Sequence, residues 1–179
     1  MRTETYTRNI YTLDEVCDAA IEKNWDINVD LDWWNHIYDD AEMIGLKLDG
    51  FDLDRGLHCV GKFTEDACCT ANMIISGHGE NCDTYKLAEA FLAEQTPLKN
   101  WLKRVEDSNF DLLMNAGVYA EYRRKESLVG DLESEFLEDL LGAYAWALQH
   151  EYEYLTSEEA IEETLRANEY EFYADGSIA

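Results

Sequence analysis

Hydrophobic residues recur at helical spacing along much of the chain. Thr12 and Glu15 stand at capping-box spacing, and the apolar stripe that follows predicts a first helix. The same periodicity predicts helices over residues 32–44, 65–76, 83–94 and 98–115, with a break at Pro97 between the last two. A second capping box, Thr156 to Glu159, opens a short helix.

The strongest periodicity runs from Asp131 to about Tyr154. Large apolar residues there fall four apart, at Leu132, Phe136, Leu140, Tyr144 and Leu148. This spacing places them on one face of a long helix. The preceding residues, 116–130, do not favour one type of element.

Alternating polar and apolar positions predict the strands. They cover residues 4–11, 46–53 and 57–63 and part of the C-terminal segment. Gly45 stands where a left-handed helix C-cap is expected, and Gly50 interrupts the alternation as a bulge would. The order of elements predicts an α+β fold, in which five to seven helices pack with a small, mainly antiparallel sheet of about four strands. We expect one acidic domain over residues 1–179.

Composition favours a folded protein over a solvated acidic tail. Of the 179 residues, 46% are hydrophobic and 12% aromatic, whereas disordered acidic segments are poor in aromatics. The chain shows no apolar run near 18 residues and no secretory leader at its start, so we expect neither a membrane span nor export. Five cysteines without a C-x-x-C pair favour free thiols in a reducing cytoplasm.

Charge restricts the partners that the protein can bind. Fourteen Lys and Arg stand against 39 Asp and Glu, a formal net charge of −25. Residues 81–130 are almost neutral, with 8 acids and 7 bases, whereas residues 131–179 hold 14 acids and one base. Direct binding to nucleic acid or to an anionic membrane is therefore disfavoured, and a basic partner such as a nucleic-acid-binding groove is favoured. The alternative is a protein that is merely salt-tolerant or very soluble.

Ordered carboxylates are the candidate partner-binding residues. They lie on the helix from residue 131, on the helix after it, and on the second helix, at Asp131, Glu135, Glu138, Asp139, Glu158, Glu159, Glu162, Glu163, Asp39 and Asp40. Carboxylates four residues apart on a helix are separated by about 6 Å along its axis. Phosphates of one DNA strand rise by about 3.4 Å per step, so such rows can stand in for a phosphate backbone. The alternative is an ordinary solvated helix face.

Catalytic and metal-binding patterns are weak. Asp52 and Asp54 lie at strand spacing, but nothing in the sequence separates their pKa values as acid/base catalysis requires. "DLDRG" fails as a calcium loop because its Gly comes one residue early and no Glu stands at position twelve, so we interpret it as a hairpin turn. The chain shows no nucleophile elbow, Walker loop or dinucleotide fingerprint. We predict no enzyme, cofactor or metal.

A zinc- or thiol-dependent enzyme is the least favoured alternative. Its candidate residues are His58, Cys59, His78 and Cys82, with Cys68 and Cys69 as further possible ligands. Structural zinc sites usually show paired ligands at short spacing twice over, and only His78 and Cys82 have usable spacing.

One basic patch could contact nucleic acid. It consists of Lys99, Lys103, Arg104, Arg123, Arg124 and Lys125, with Trp101 among them. The favoured interpretation is that these bases pair with neighbouring acids such as Glu106, Asp107, Glu121 and Glu126.

Several stretches resemble a family of small acidic proteins of phages and bacterial mobile elements, some of which are labelled as antitoxins. These are the block opening "YTLDEVCDAAIEKNW", then "HGENCDTYKLAEAFL", and "EYEYLTSEEAIEETLRANEYEF". The resemblance covers residues 10–95 and 150–173. It implies action in the cytoplasm of a bacterial host, as anti-restriction DNA mimics and anti-CRISPR proteins act. Cas9-type nucleases have strongly basic channels.

The hypothesis is therefore a non-enzymatic inhibitor of a defence nuclease, with a Cas9-type target favoured over a restriction enzyme. It would cover a basic nucleic-acid-binding surface with its carboxylate faces. The alternative is an antitoxin-like or accessory phage protein that neutralises a basic protein by plain contact.

Overall fold

The structure is a computed structural model that describes residues 7–108 and 116–179. Those residues form six helices and one antiparallel pair of strands. In chain order the elements are α1 Leu13–Lys23, α2 Asn35–Met43, β1 Leu46–Asp52, β2 His58–Phe63, α3 Ala67–Gly77, α4 Asp83–Asp107, α5 Ala116–Leu155 and α6 Glu158–Ala167. The predicted α+β class and the number of helices are confirmed.

The sheet is smaller than the predicted four strands, because the described residues contribute only β1 and β2 to it. Residues 4–6 of the predicted first strand lie outside the described residues. Of the remainder, Tyr11 alone pairs, in an isolated bridge with Phe172, which also bridges to Ile178. Tyr11 is followed at once by the N-cap of α1, so the chain leaves the extended conformation before a ladder can grow.

The hairpin of β1 and β2 follows the sequence closely. Gly45 takes a φ of +77° directly before β1, as a left-handed C-cap requires. The register shifts between Leu48 and Gly50, which confirms the bulge. At the turn, Asp52 accepts backbone N–H bonds from Asp54 and Arg55, both at 2.9 Å. The bond from Arg55 is the main cause that lowers the pKa of Asp52, and the bond from Asp54 lowers it further. Because both bonds close the turn, "DLDRG" forms the predicted hairpin turn.

The predicted break at Pro97 is wrong, because α4 runs from Asp83 to Asp107 with the proline inside it. An interior proline costs a helix about 3 kcal/mol. Packing on both sides offsets that cost, since Phe91 and Gln95 before the proline and Val105 after it are buried. The last residues of the predicted helix over 98–115 lie outside the described residues. The ambiguous residues from 116 onward belong to α5.

Contacts divide the chain into two compact units. The first consists of Met1–Asn35 and Leu148–Ala179, described from residue 7 onward. Its core contains Leu13, Ala20, Ile161, Leu165 and Phe172. Asn24 of this unit donates from its amide to the carbonyl oxygen of Gly176 at 3.0 Å, and Trp33 packs against Tyr152. The single domain predicted for residues 1–179 stays a prediction.

The second unit, His36–Ala147, contains the hairpin, α3, α4 and most of α5. Phe136 of α5 lies at the centre of a ring stack, 4.3 Å from Phe91 and 5.9 Å from Phe63 between centroids. Leu140 and Tyr144 continue this buried stripe along α5. The periodicity that predicted a helix from residue 131 is therefore the packing face of α5.

Candidate partner-binding surface

Four exposed carboxylates follow one side of α5, and together they are called the acidic row: Asp131, Glu135, Glu138 and Asp139. At 3.6 residues per turn, their spacing confines them to an arc of about 100° and an axial length of about 12 Å. None of the four lies within ion-pair distance of a base in residues 7–108 and 116–179. The row therefore presents its negative charge to solvent without compensation.

The acidic row is held on a rigid support. Phe136, which lies between Glu135 and Glu138 in sequence, is only 3% exposed and is stacked against Phe91. Glu133 is on another side of α5, where Lys99 approaches it at 3.1 Å and buried Gln95 donates to it at 2.8 Å. The helix cannot rotate about its axis without breaking these contacts. A fixed row of charges loses less conformational entropy on binding than mobile side chains on a loop.

A groove between α4 and α5 lies directly beside the acidic row, and we call it the α4–α5 groove. Its volume is about 140 Å³. The apolar lining consists of Leu87, Ala90, Phe91, Leu132 and Phe136. Three carboxylates complete it: Glu94 from α4, with Glu135 and Asp139 of the acidic row. No base lines the groove among the described residues.

The preceding part of α5, residues 117–130, contrasts with the row. Glu121 pairs with Arg124 at 2.9 Å and with Lys125 at 3.2 Å, and Arg123 pairs with Glu126. The hydrogen bonds from Arg124 and then Lys125 lower the pKa of Glu121. Lys125 also lies 5.2 Å above the Trp101 ring. The prediction that the basic patch pairs with neighbouring acids is thus confirmed for Arg123, Arg124 and Lys125, which form ion pairs with acids of the same helix.

The acidic face of α6, in the first unit, is partly neutralised. Arg166 contacts Glu162 at 2.8 Å and Asp14 at 2.9 Å, and these two bonds raise the pKa of the guanidinium. Glu158 and Glu159 are exposed but occupy the first turn of the helix, where negative charge stabilises the helix dipole. Glu163 is the remaining exposed carboxylate of this face. Part of this charge therefore has a structural explanation, unlike the acidic row.

The two candidate acids of α2 differ from each other. Asp39 is exposed. Asp40 accepts a 2.7 Å hydrogen bond from the hydroxyl of Tyr144, and the Nε2 atom of His78 is 3.6 Å from it. Burial is the main cause that raises the pKa of Tyr144, and the hydrogen bond to Asp40 raises it further. Asp40 thus contacts Tyr144 of α5 and His78, the residue that follows α3, instead of facing a partner freely.

The four residues of the alternative enzyme each contact a nearby group or lie in the core, and Cys82 contacts the Thr84 hydroxyl at 3.3 Å. The Nδ1 atom of His58 lies 2.6 Å from the carbonyl oxygen of Gly56, and that of His78 lies 2.7 Å from the Thr84 hydroxyl. Cys59 is buried, and burial raises its thiol pKa to about 11, which leaves too little thiolate for a nucleophile near neutral pH. The described residues contain no group of three or more His, Cys, Asp or Glu side chains that could hold a metal ion.

Comparison of the chain with protein-family models, curated proteins and solved structures gives no match. Among the residues that the structure describes, no helix is both long and apolar enough to span a membrane. Interpretation of function therefore depends on the chemistry of the surface itself.

Sequence reasoning identified the acidic row but missed Glu94. The carboxylate of Glu94 becomes relevant only because α4 packs beside α5 and brings it to the same groove. Its place on the face of Leu87, Ala90 and Phe91, at i+7, i+4 and i+3, was the available signal.

Proposed function

We propose that this protein is a non-enzymatic inhibitor of a bacterial defence nuclease, with a Cas9-type enzyme as the favoured target. It acts by occupying a basic nucleic-acid-binding surface with the acidic row. The observation that carries the proposal is the row itself: four exposed carboxylates, free of ion pairs among the described residues, on a helix whose opposite side is buried.

Electrostatics and geometry both support a basic groove as the binding partner. Such a groove is built to accept a regular series of negative groups and to release their counterions. The formal charge of −25 adds long-range attraction, which increases the association rate at low salt. The face of α6 is the second candidate contact, reduced by the ion pair between Arg166 and Glu162.

The test compares two variants that carry the same total charge. The first removes the row by Asp131→Asn, Glu135→Gln, Glu138→Gln and Asp139→Asn. The matched control neutralises four exposed acids elsewhere, by Asp18→Asn, Glu22→Gln, Asp26→Asn and Glu42→Gln. Each has 35 acids and 14 bases, a formal charge of −21.

Binding to guide-loaded Cas9, and then to a restriction nuclease, is measured in competition with target DNA. We expect the row variant to lose about a hundredfold in affinity and the control to lose less than about threefold, since charge pairs formed at an interface outweigh charges that do not contact the partner. Wild-type affinity should fall between about 50 and 200 mM salt. Equal losses in the two variants would contradict a row-specific contact, and binding that DNA does not displace would favour the antitoxin-like alternative.

A further inference from the structure

The α4–α5 groove combines two features that a phosphate mimic alone does not need. Apolar side chains line it, and three carboxylates, Glu94, Glu135 and Asp139, stand at it. Two of the three belong to the acidic row, so a partner that covers the row also covers the groove. A partner that binds there would meet apolar side chains as well as negative charge.

We propose that the α4–α5 groove is a docking site for one arginine side chain of the basic partner, an inference that rests on the proposed function. The volume of about 140 Å³ is that of a single side chain, since a cavity of about 150 Å³ accommodates benzene. The aliphatic stem of the arginine packs on Leu87 and Leu132, and its guanidinium donates to the carboxylates.

Charge complementarity selects this occupant over others. A neutral apolar side chain would cover the carboxylates without giving them a hydrogen-bond donor, which is costly. A nucleic acid would be repelled by the same groups. Lysine carries a compact, strongly hydrated ammonium, whereas the planar guanidinium of arginine is weakly hydrated and offers five donors in a fork that suits carboxylates.

Specificity for arginine is tested on the isolated protein with a short peptide that contains arginine and with two otherwise identical peptides, called the lysine twin and the citrulline twin, in which lysine or citrulline replaces the arginine. Amide chemical shifts are followed by NMR on the full chain. We expect the arginine peptide to shift the amides around Ala90 and Phe136 and to bind at least about threefold more tightly than the lysine twin. The citrulline twin, which lacks the charge, should not bind. Equal binding of the arginine and lysine peptides, or shifts spread over all acidic surfaces, would overturn the inference.

Filling the groove gives a second, charge-neutral test. Ala90→Phe places a ring in the groove, whereas Ala93→Phe makes the same change at an exposed position of α4 that does not line it. We expect Ala90→Phe to abolish the localised shifts and to weaken nuclease binding about tenfold with an unchanged salt dependence. Glu94→Gln, which leaves the groove open, should weaken arginine binding more than lysine binding, because it removes a partner of the guanidinium fork.

The results separate this inference from the proposed function. If wild-type protein binds the nuclease but Ala90→Phe binds equally well and the arginine peptide does not dock, the groove has no such role and the inhibitor function stands. If the peptide docks but the nuclease is not bound, the groove is an arginine site and the proposed target is wrong.

Discussion

Two consecutive segments of α5 use the same residue types in opposite ways. Residues 117–130 contain two acids and three bases, and Arg123, Arg124 and Lys125 all pair with Glu121 or Glu126. Residues 131–139 contain five acids and no base, and only Glu133 is paired, through Lys99 of α4. We call residues 117–130 the closed segment, because their acids and bases pair with one another. We call residues 131–139 the open segment, because four of their five acids face solvent without an ion pair among the described residues.

This difference shows that helix stability does not explain the acidic row. Exposed pairs three or four residues apart stabilise a helix by about 0.2–0.5 kcal/mol each, and like charges at that spacing destabilise it by similar amounts. The first segment contains three such favourable pairs. The second places Asp131, Glu135 and Asp139 four apart with no compensation, so it carries a cost that its buried packing must offset.

The largest expected effect comes from removing that packing. Phe136→Ala deletes a ring that is 3% exposed and stacked between Phe91 and Phe63, so we expect a loss of about 3–5 kcal/mol in the free energy of unfolding. The matched change in the closed segment is Leu128→Ala, at a side chain that is 38% exposed, with an expected loss below about 1 kcal/mol. Urea denaturation measures both. Equal losses would mean that the row is no more firmly held than its neighbour.

How far the sequence predicts these segments depends on the range of the interactions. The long helix from residue 131 and the spacing of its acids were readable because both follow from a local period of 3.6 residues. The ion pairs of Arg123 to Lys125 with Glu121 and Glu126 were anticipated for the same reason. The helical state of the closed segment was not, because its apolar positions are sparse and Val129 is its only buried apolar residue among the described ones.

Features that depend on a distant partner could not be read from one sequence. Asp40 accepts its bond from a tyrosine 104 residues away, and Glu94 meets Glu135 only across the groove. The continuity of α4 through Pro97 depends on buried neighbours on both sides, which override a local penalty. At Pro97 packing outweighs local propensity, and the other two features arise from long-range contacts that the sequence does not display.

Introducing a base into the open segment should remove the difference in charge pairing between the two segments. Ser134 is exposed and stands three residues after Asp131 and four before Glu138. Ser134→Arg therefore pairs with the row as Arg124 does with Glu121, while every acid is retained. We expect partner affinity to fall about tenfold, while the free energy of unfolding rises by about 0.3–0.5 kcal/mol.

The control for that variant is Ala120→Arg, which adds the same charge in the closed segment, next to Arg123 and Arg124. Isothermal titration against the nuclease and urea denaturation are run on both proteins. A tenfold loss in both would show that net charge, not the open row, sets the affinity. No change in either would remove the row from the interface.

The smallest expected effect lies in the closed segment itself. Arg124→Gln removes the hydrogen bonds from Arg124, which are the main cause that lowers the pKa of Glu121. That pKa should therefore rise toward its ordinary value, while Lys125 still holds it partly down. A carboxylate with a lowered pKa in the folded state contributes stability above its unfolded pKa, near 4.3, and loses it as the pH falls through the folded value. Wild-type protein should therefore lose more stability than the variant on acidification through this range.

NMR titration of the Glu121 side chain measures the pKa, and Arg104→Gln, a change at an exposed base that is not paired with Glu121, is the control. An unchanged Glu121 pKa in Arg124→Gln would mean that this segment is not closed by its ion pairs, and the contrast with the acidic row would then lose its electrostatic basis.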